Sequence, residues 1–214
     1  MSGPGRSRTR GRHRLAWVPM APEPRMPDPL SLLELRRSVP SRHLAEPAPD
    51  EVQLQQLFAA AVRVPDHGKL MPFRLIRLQG EDKRIWGERL VELALRKRPD
   101  MSPAKLEKER HRYSYAPLVV AVVVRLQERG KVPEIEQKLS AGCVAHNLLL
   151  GAYALGFGAQ WLTGWAAYDP NAALLLGLAA NEHVIGFVHI GTAQDGVPPR
   201  EYPRVEDVVS TWTA

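Results

Sequence analysis

Three short stretches of this sequence carry side chains that could bind a ligand or assist a reaction. The first is Arg36-Arg37-Ser38, with Arg42 close behind. Guanidinium groups offer planar, paired donors, so an arginine cluster beside a hydroxyl suits a phosphate. Two arginines at the end of a helix also sit well against its macrodipole with no ligand at all. The second is Arg63-Val64-Pro65-Asp66-His67, a loop between an expected helix and an expected strand. It is placed to touch a ligand, and a plain Pro-Asp turn with a surface histidine has the same spelling. The third runs Gly156-Phe157-Gly158-Ala159-Gln160-Trp161-Leu162-Thr163-Gly164. Glycines there let backbone approach a flat molecule, or simply end a helix. The run is not a G-x-G-x-x-G opening a helix, which argues against a dinucleotide-binding fold.

The other reactive residue types form no set. His183 and His189 match no metal-ligand spacing and read as structural, so no metal is expected. Cys143 is the only cysteine, which excludes an intramolecular disulfide and a CxxC site. It lies in an apolar helix and reads as core. His146 and Asn147 sit in the same helix and are expected to be hydrogen-bonded at an interface.

The elements that must position these residues follow from periodicity and punctuation. Asp28-Pro29 has the form of an N-cap followed by a first-turn proline. A short helix follows, with Leu30 and Leu33 on one side, ending at Arg36-Arg37-Ser38. Val39 to Pro49 reads as a loop. A second helix opens at Asp50-Glu51, with Leu54, Leu57, Phe58 and Ala61 at helical spacing, and stops at Pro65. Phe73 to Leu78 reads as a strand. Glu81 to Arg98 reads as an amphipathic helix with Ile85, Leu93 and either Trp86 or Leu90 inward. Pro99 to Tyr115 is polar and helical in part. Leu118 to Leu126 is apolar and β-branched, as a buried strand is.

Pro133 to Phe157 reads as one long helix, charged at first and then apolar nearly all round from Ala141. A helix apolar on every side must be buried on every side, which in a short chain suggests the centre of an oligomer interface. Ala159 to Leu162 reads as a short strand, Asp169 to Leu176 as a helix, and Val184 to Ile190 as the last clear strand. The remainder, with Pro198, Pro199 and Pro203, reads as an extended arm that packs on something else, a second subunit included. The alternation gives a layered α+β or α/β fold.

With 214 residues, 44% of them hydrophobic and 24% charged, the composition is that of an ordinary globular domain. The longest apolar runs, Leu118–Val124 and Leu148–Leu155, are far short of the ~20 residues a membrane span needs, so no membrane partner is expected. The net charge of +6 is concentrated in residues 1–27, where six arginines face one glutamate and so hold five of the six net charges. The body is near neutral, which disfavours a nucleic-acid partner. Residues 1–27 have no apolar period and read as a disordered basic tail ahead of a domain spanning 28–214. The tail has no apolar core of a secretory signal. Together with the lone cysteine this fits a reducing compartment, the cytoplasm.

Taken in order, the motifs resemble the nitroreductase family. Arg-Arg-Ser near the first helix is followed by a helix and Pro65-Asp66-His67 before a strand. Then comes Ser140-Ala141-Gly142-Cys143, Asn147-Leu148-Leu149-Leu150 and Ala154-Leu155-Gly156-Phe157-Gly158 along a helix. Trp161-Leu162-Thr163-Gly164 and the strand Val184-Ile185-Gly186-Phe187-Val188-His189-Ile190-Gly191-Thr192 complete it. The resemblance spans roughly residues 29 to 214. It is closest to a short YdjA-like branch, where Pro-Asp-His stands in place of the commoner Pro-Ser-Ser.

That resemblance implies a nitroreductase-like α+β fold: a central mixed or antiparallel sheet flanked by helices, with a long buried helix at a homodimer interface. It implies two FMN sites between the subunits and NAD(P)H as co-substrate. Arg36, Arg37 and Ser38 would contact the phosphate, Arg63 and His67 would lie near the flavin, and Leu162, Thr163 and Gly164 would line it from the other subunit. Ala152, Tyr153, Ala154, Leu155, Gly156 and Phe157 correspond to a stretch assigned to the nicotinamide nucleotide. A basic residue of the C-terminal arm would join the phosphate, with Arg200 and Arg204 as candidates and Arg204 taken forward. Relatives of this branch carry Arg-Ser-Gly after the tryptophan, whereas Leu162 brings no cation. No catalytic side chain is required, because a flavin carries the hard chemistry. The expected activity is ping-pong reduction of nitroaromatic, quinone or similar flat acceptors. The alternative is a flavin-binding protein of the same fold with little turnover.

Overall fold

The computed structural model describes residues 29–128, 131–194 and 200–213. The expected N-cap at Asp28 and the basic tail lie outside the described residues. The chain alternates helices and strands: α1 (Pro29–Leu35), β1 (Leu44–Ala45), α2 (Glu51–Ala61), β2 (Phe73–Gln79), α3 (Glu81–Lys97) and α4 (Pro103–His111). It continues with β3 (Leu118–Arg125), α5 (Glu134–Ala154), β4 (Gly158–Leu162), α6 (Pro170–Leu175), β5 (Glu182–Ala193) and α7 (Val205–Val208).

The five strands form one sheet in the order β1-β5-β3-β2, with β4 also paired to β5, and every strand pair is antiparallel. β3 lies at its centre and is buried from Leu118 to Val124. Successive side chains of a strand point to opposite faces, and β3 divides accordingly. Leu118, Val120 and Val122 pack with Leu54 and Leu57 of α2 and with Val144 and Leu148 of α5. Val119, Ala121 and Val123 pack with Trp86, Leu90 and Leu93 of α3 and with Tyr113 and Phe187. The molecule is therefore a sheet with helices on both faces, the α+β architecture expected.

Local signals explain most boundaries. Asp50 caps α2 through a capping box with Gln53. Asp169 accepts from the backbone N–H groups of Asn171 and Ala172 and receives Lys97, so it caps α6 and ties α3 to it. Three expectations need correction. Ile85 is 45% exposed, while Trp86 and Leu90 are both buried with Leu93, because the sheet meets α3 one position round from the assumed face. α1 ends at Leu35, before the arginines, and buries none of its residues; Leu30 and Leu33 are exposed. The loop at 39–49 contains strand β1, too short to show a period.

α5 is half covered. Val144, Ala145, Leu148 and Ala152 face the core, whereas Ile135 and Leu139 are about 60% exposed and Cys143, His146 and Tyr153 lie on the open side. Among the described residues no helix is long and apolar enough to cross a membrane.

Candidate functional site

The Arg-Arg-Ser segment leaves α1 and runs beside β4. Ser38 forms a parallel bridge with Ala159, and the Val39 N–H donates to the Ala159 carbonyl at 3.0 Å. The Ser41 N–H donates to Gln160 Oε1 at 2.7 Å. The two arginines then differ. Arg37 Nη1 donates to the carbonyls of Glu34 and Arg36, and its guanidinium lies 5.1 Å from the centre of the Tyr202 ring. Arg36 Nη1 is buried and has no hydrogen-bond partner among the described residues. A buried donor without an acceptor is costly, the more so on a charged group.

Two clefts open beside this segment. One of about 340 Å³ is lined by Leu35, Arg37, Val39, Tyr153, Gly156 and Phe157. Of the stretch from Ala152 to Phe157, it takes the end of α5 and the following turn. Ala152 itself is packed in the core, and Ala154 and Leu155 do not line the cleft. The other cleft, about 230 Å³, is lined among others by Ser41, Arg42, Lys108, Arg112, Gln160 and Leu162. Neither Arg42 nor Lys108 has a carboxylate partner among the described residues. Arg112 makes a two-pronged contact with Glu109, from Nη2 at 2.9 Å and Nε at 3.2 Å. Trp165 Nε1 donates to the same carboxylate at 2.9 Å. Gly164 has φ +69°, a conformation L side chains rarely adopt, and a Cβ there would stand 3.2 Å from Arg112 Nη1.

Behind this cleft His189 lies directly across from Gln160 in the β4–β5 ladder. It is fully buried and stacked on Tyr113, with ring centres 5.8 Å apart. Burial, reinforced by the charge of Arg112, lowers its pKa to about 4, so it is neutral at ordinary pH.

Arg63 and His67 stand apart, along α5. Asn147 Nδ2 donates to the carbonyls of Ala61 and Arg63, both at 3.3 Å, and Ser140 Oγ donates to the Pro65 carbonyl at 2.8 Å. His67 Nδ1 lies 2.6 Å from Glu136 Oε2. The loop is thus pinned to the helix whose other side is open. Arg204, on the C-terminal arm, is exposed and paired with Asp207 at 3.0 Å.

The structure therefore joins Arg36, Arg37 and Ser38 to the Gly158–Gly164 stretch within one chain. Within one chain the bridge between Ser38 and Ala159 puts the Arg-Arg-Ser segment beside β4, the strand that leads into the turn at 162–164. It does not bring Arg63 or His67 to them. Sequence reasoning missed Lys108 and Arg112, which lie in the polar segment before β3. Nothing local separates Arg112 from Arg110, whose partners are Glu88 and Glu107; only the fold turns the one into the cleft and the other away.

Comparison with known proteins agrees with this architecture. Residues 33–192 match the model of the nitroreductase family, and the chain belongs to that family, whose members are oxidoreductases. YdjA of Escherichia coli (strain K12), named as a proposed NAD(P)H nitroreductase, is 35% identical over 167 residues, which cover 78% of this chain and 89% of that protein. A nitroreductase-like family protein from Bacillus cereus superposes with a TM-score of 0.73 at 20% identity, over 89% of this chain and 98% of its own. A nitroreductase from Bacteroides fragilis, solved with bound FMN, superposes with a TM-score of 0.66 at 19% identity, over 88% of this chain and 100% of its own.

Proposed function

We propose that this chain is an FMN-dependent NAD(P)H oxidoreductase that reduces nitroaromatic, quinone or similar flat acceptors in a ping-pong cycle. It acts as a cytoplasmic homodimer with two flavin sites at the subunit interface. The observation that carries this reading is the buried guanidinium nitrogen of Arg36, two residues from Ser38, which has no partner among the described residues. A group in that state calls for an anion, and a phosphate supplies one. Family membership, the name of the Escherichia coli relative and the FMN of the Bacteroides fragilis structure support the choice of anion.

The residues fit the cofactor. Arg36, Arg37 and Ser38 hold the phosphate, with Arg204 brought in by the arm. The turn at Leu162, Thr163 and Gly164 lies along the ring, where a positive-φ glycine allows close approach. Arg63 and His67 reach the flavin from the partner, because the loop that carries them is fixed to α5. Ile135, Leu139 and Tyr153 on the open side of α5 form the apolar face that a second copy covers. Tyr153, Gly156 and Phe157 border the nicotinamide nucleotide. When bound, FMN would supply the redox chemistry, hydride acceptance from NAD(P)H and electron transfer to the acceptor. The chain's own part is to bind, orient and exclude water.

Leu162 favours a second reading, a flavin-binding protein with little turnover, since it leaves the turn without a charge of its own. One experiment separates the two. On the first reading the purified protein should show flavin absorption, and adding NADH or NADPH without oxygen should bleach it. Bands that persist would favour the second reading. A colourless protein that cannot be reconstituted with FMN would overturn both.

A further inference from the structure

The contact between Glu109, Arg112 and Trp165 joins the end of α4 to the turn after β4, two segments more than fifty residues apart in sequence. Glu109 is buried, and its carboxylate has three donors within hydrogen-bond distance, two from Arg112 and one from Trp165. A carboxylate gripping both nitrogens of a guanidinium fork fixes its plane as well as its position. Arg112, so held, lines the cleft with Leu162 and abuts Gly164. Position 162 is a leucine and brings no charge to the turn.

We infer that Arg112 is the cation of the 162–164 turn and that Glu109 is the positioning residue that sets its place and its effective charge. This rests on the proposed flavin site. Reduction adds negative charge to the ring, and a fixed cation beside it favours the reduced form over the oxidised one. Glu109 offsets part of that charge while holding the guanidinium still. Trp165, bonded to the same carboxylate, ties the backbone of the turn to the arrangement. Both residues thus act on the ratio of affinities for reduced and oxidised flavin, which the midpoint potential measures directly. A purely structural pair would change the melting temperature and leave the potential alone.

The test uses the full chain reconstituted with FMN. Glu109→Gln keeps an oxygen for Trp165 and Arg112 but removes the charge. Its expected effect is roughly a tenfold rise in preference for reduced flavin, a shift of about +30 mV for a two-electron couple. Arg112→Gln moves the potential the opposite way by a similar amount. FMN affinity, read from quenching of flavin fluorescence, falls several-fold in Arg112→Gln. Potentials of both variants within about twofold of the wild-type preference overturn this inference and leave the flavin reading standing. A wild-type chain that takes up no FMN overturns both. If Glu109→Gln does not fold, Arg112→Gln, whose side chain is partly exposed, decides the matter.

Discussion

Two groups of basic side chains in this molecule are treated differently: one meets a carboxylate of the chain and the other meets none among the described residues. Arg74 and Arg125 converge on Glu182, with contacts of 2.7, 2.7 and 2.9 Å. The same carboxylate accepts the Ala179 N–H at 3.1 Å. Its side chain is nearly buried, and these donors, Arg74 first, hold its pKa at about 2. Arg36, Arg42 and Lys108 have no such acid among the described residues. Where a cation serves as scaffold, the chain supplies the counter-charge itself. Arg36, Arg42 and Lys108 lack one among the described residues, and a cluster of such cations is a place to look for an anionic ligand.

The comparison can be broken at its strongest point first. Arg36→Ala should weaken FMN binding by about a hundredfold, as expected for the loss of charge-assisted contacts of roughly 2–3 kcal/mol, with little change in melting temperature. Arg37→Ala should cost less, because that guanidinium is already engaged with carbonyls and Tyr202. Titration of apo-protein with FMN checks both. Equal, negligible effects would remove the distinction between the groups.

Glu182→Ala should do the reverse, destabilising the fold by about 2 kcal/mol while whatever folds binds FMN normally. Denaturant melts across pH sharpen this. A carboxylate held near 2 in the folded chain contributes stability that is complete above about 4.5, its unfolded value, and is lost as pH falls toward 2. His189, neutral and held near 4, contributes stability that is complete above about 6.5 and is lost as pH falls through that range toward 4. The acid limb should therefore have two parts, and Glu182→Gln should flatten only the lower one.

The smallest effect is expected at Arg204. Asp207 already offsets its charge in an exposed pair, so Arg204→Ala should weaken FMN binding only about threefold. A loss as large as that of Arg36→Ala would place the arm, rather than the Arg-Arg-Ser segment, at the centre of phosphate binding.

Much of the frame could be read from local chemistry. The apolar, β-branched run at 118–124 could only be a buried strand. Asp50-Glu51 and the proline after Asp169 announced their helices. The Arg-Arg-Ser and Pro-Asp-His spellings, in order, pointed to the family. Misplaced features have a common cause: they depend on what lies opposite. Ile85 and Trp86 are adjacent, and only the angle at which α3 meets the sheet sends one outward and the other in.

What the sequence determined by itself was the succession of elements and the residue types at the three motifs, because propensity, periodicity and capping act over a few residues. The tertiary structure decided that Arg36 keeps a buried nitrogen without a partner among the described residues, which loop is pinned to α5, and that Arg112 rather than Arg110 enters the cleft with Leu162. Those outcomes rest on contacts between segments far apart in the chain, set by how sheet and helices pack.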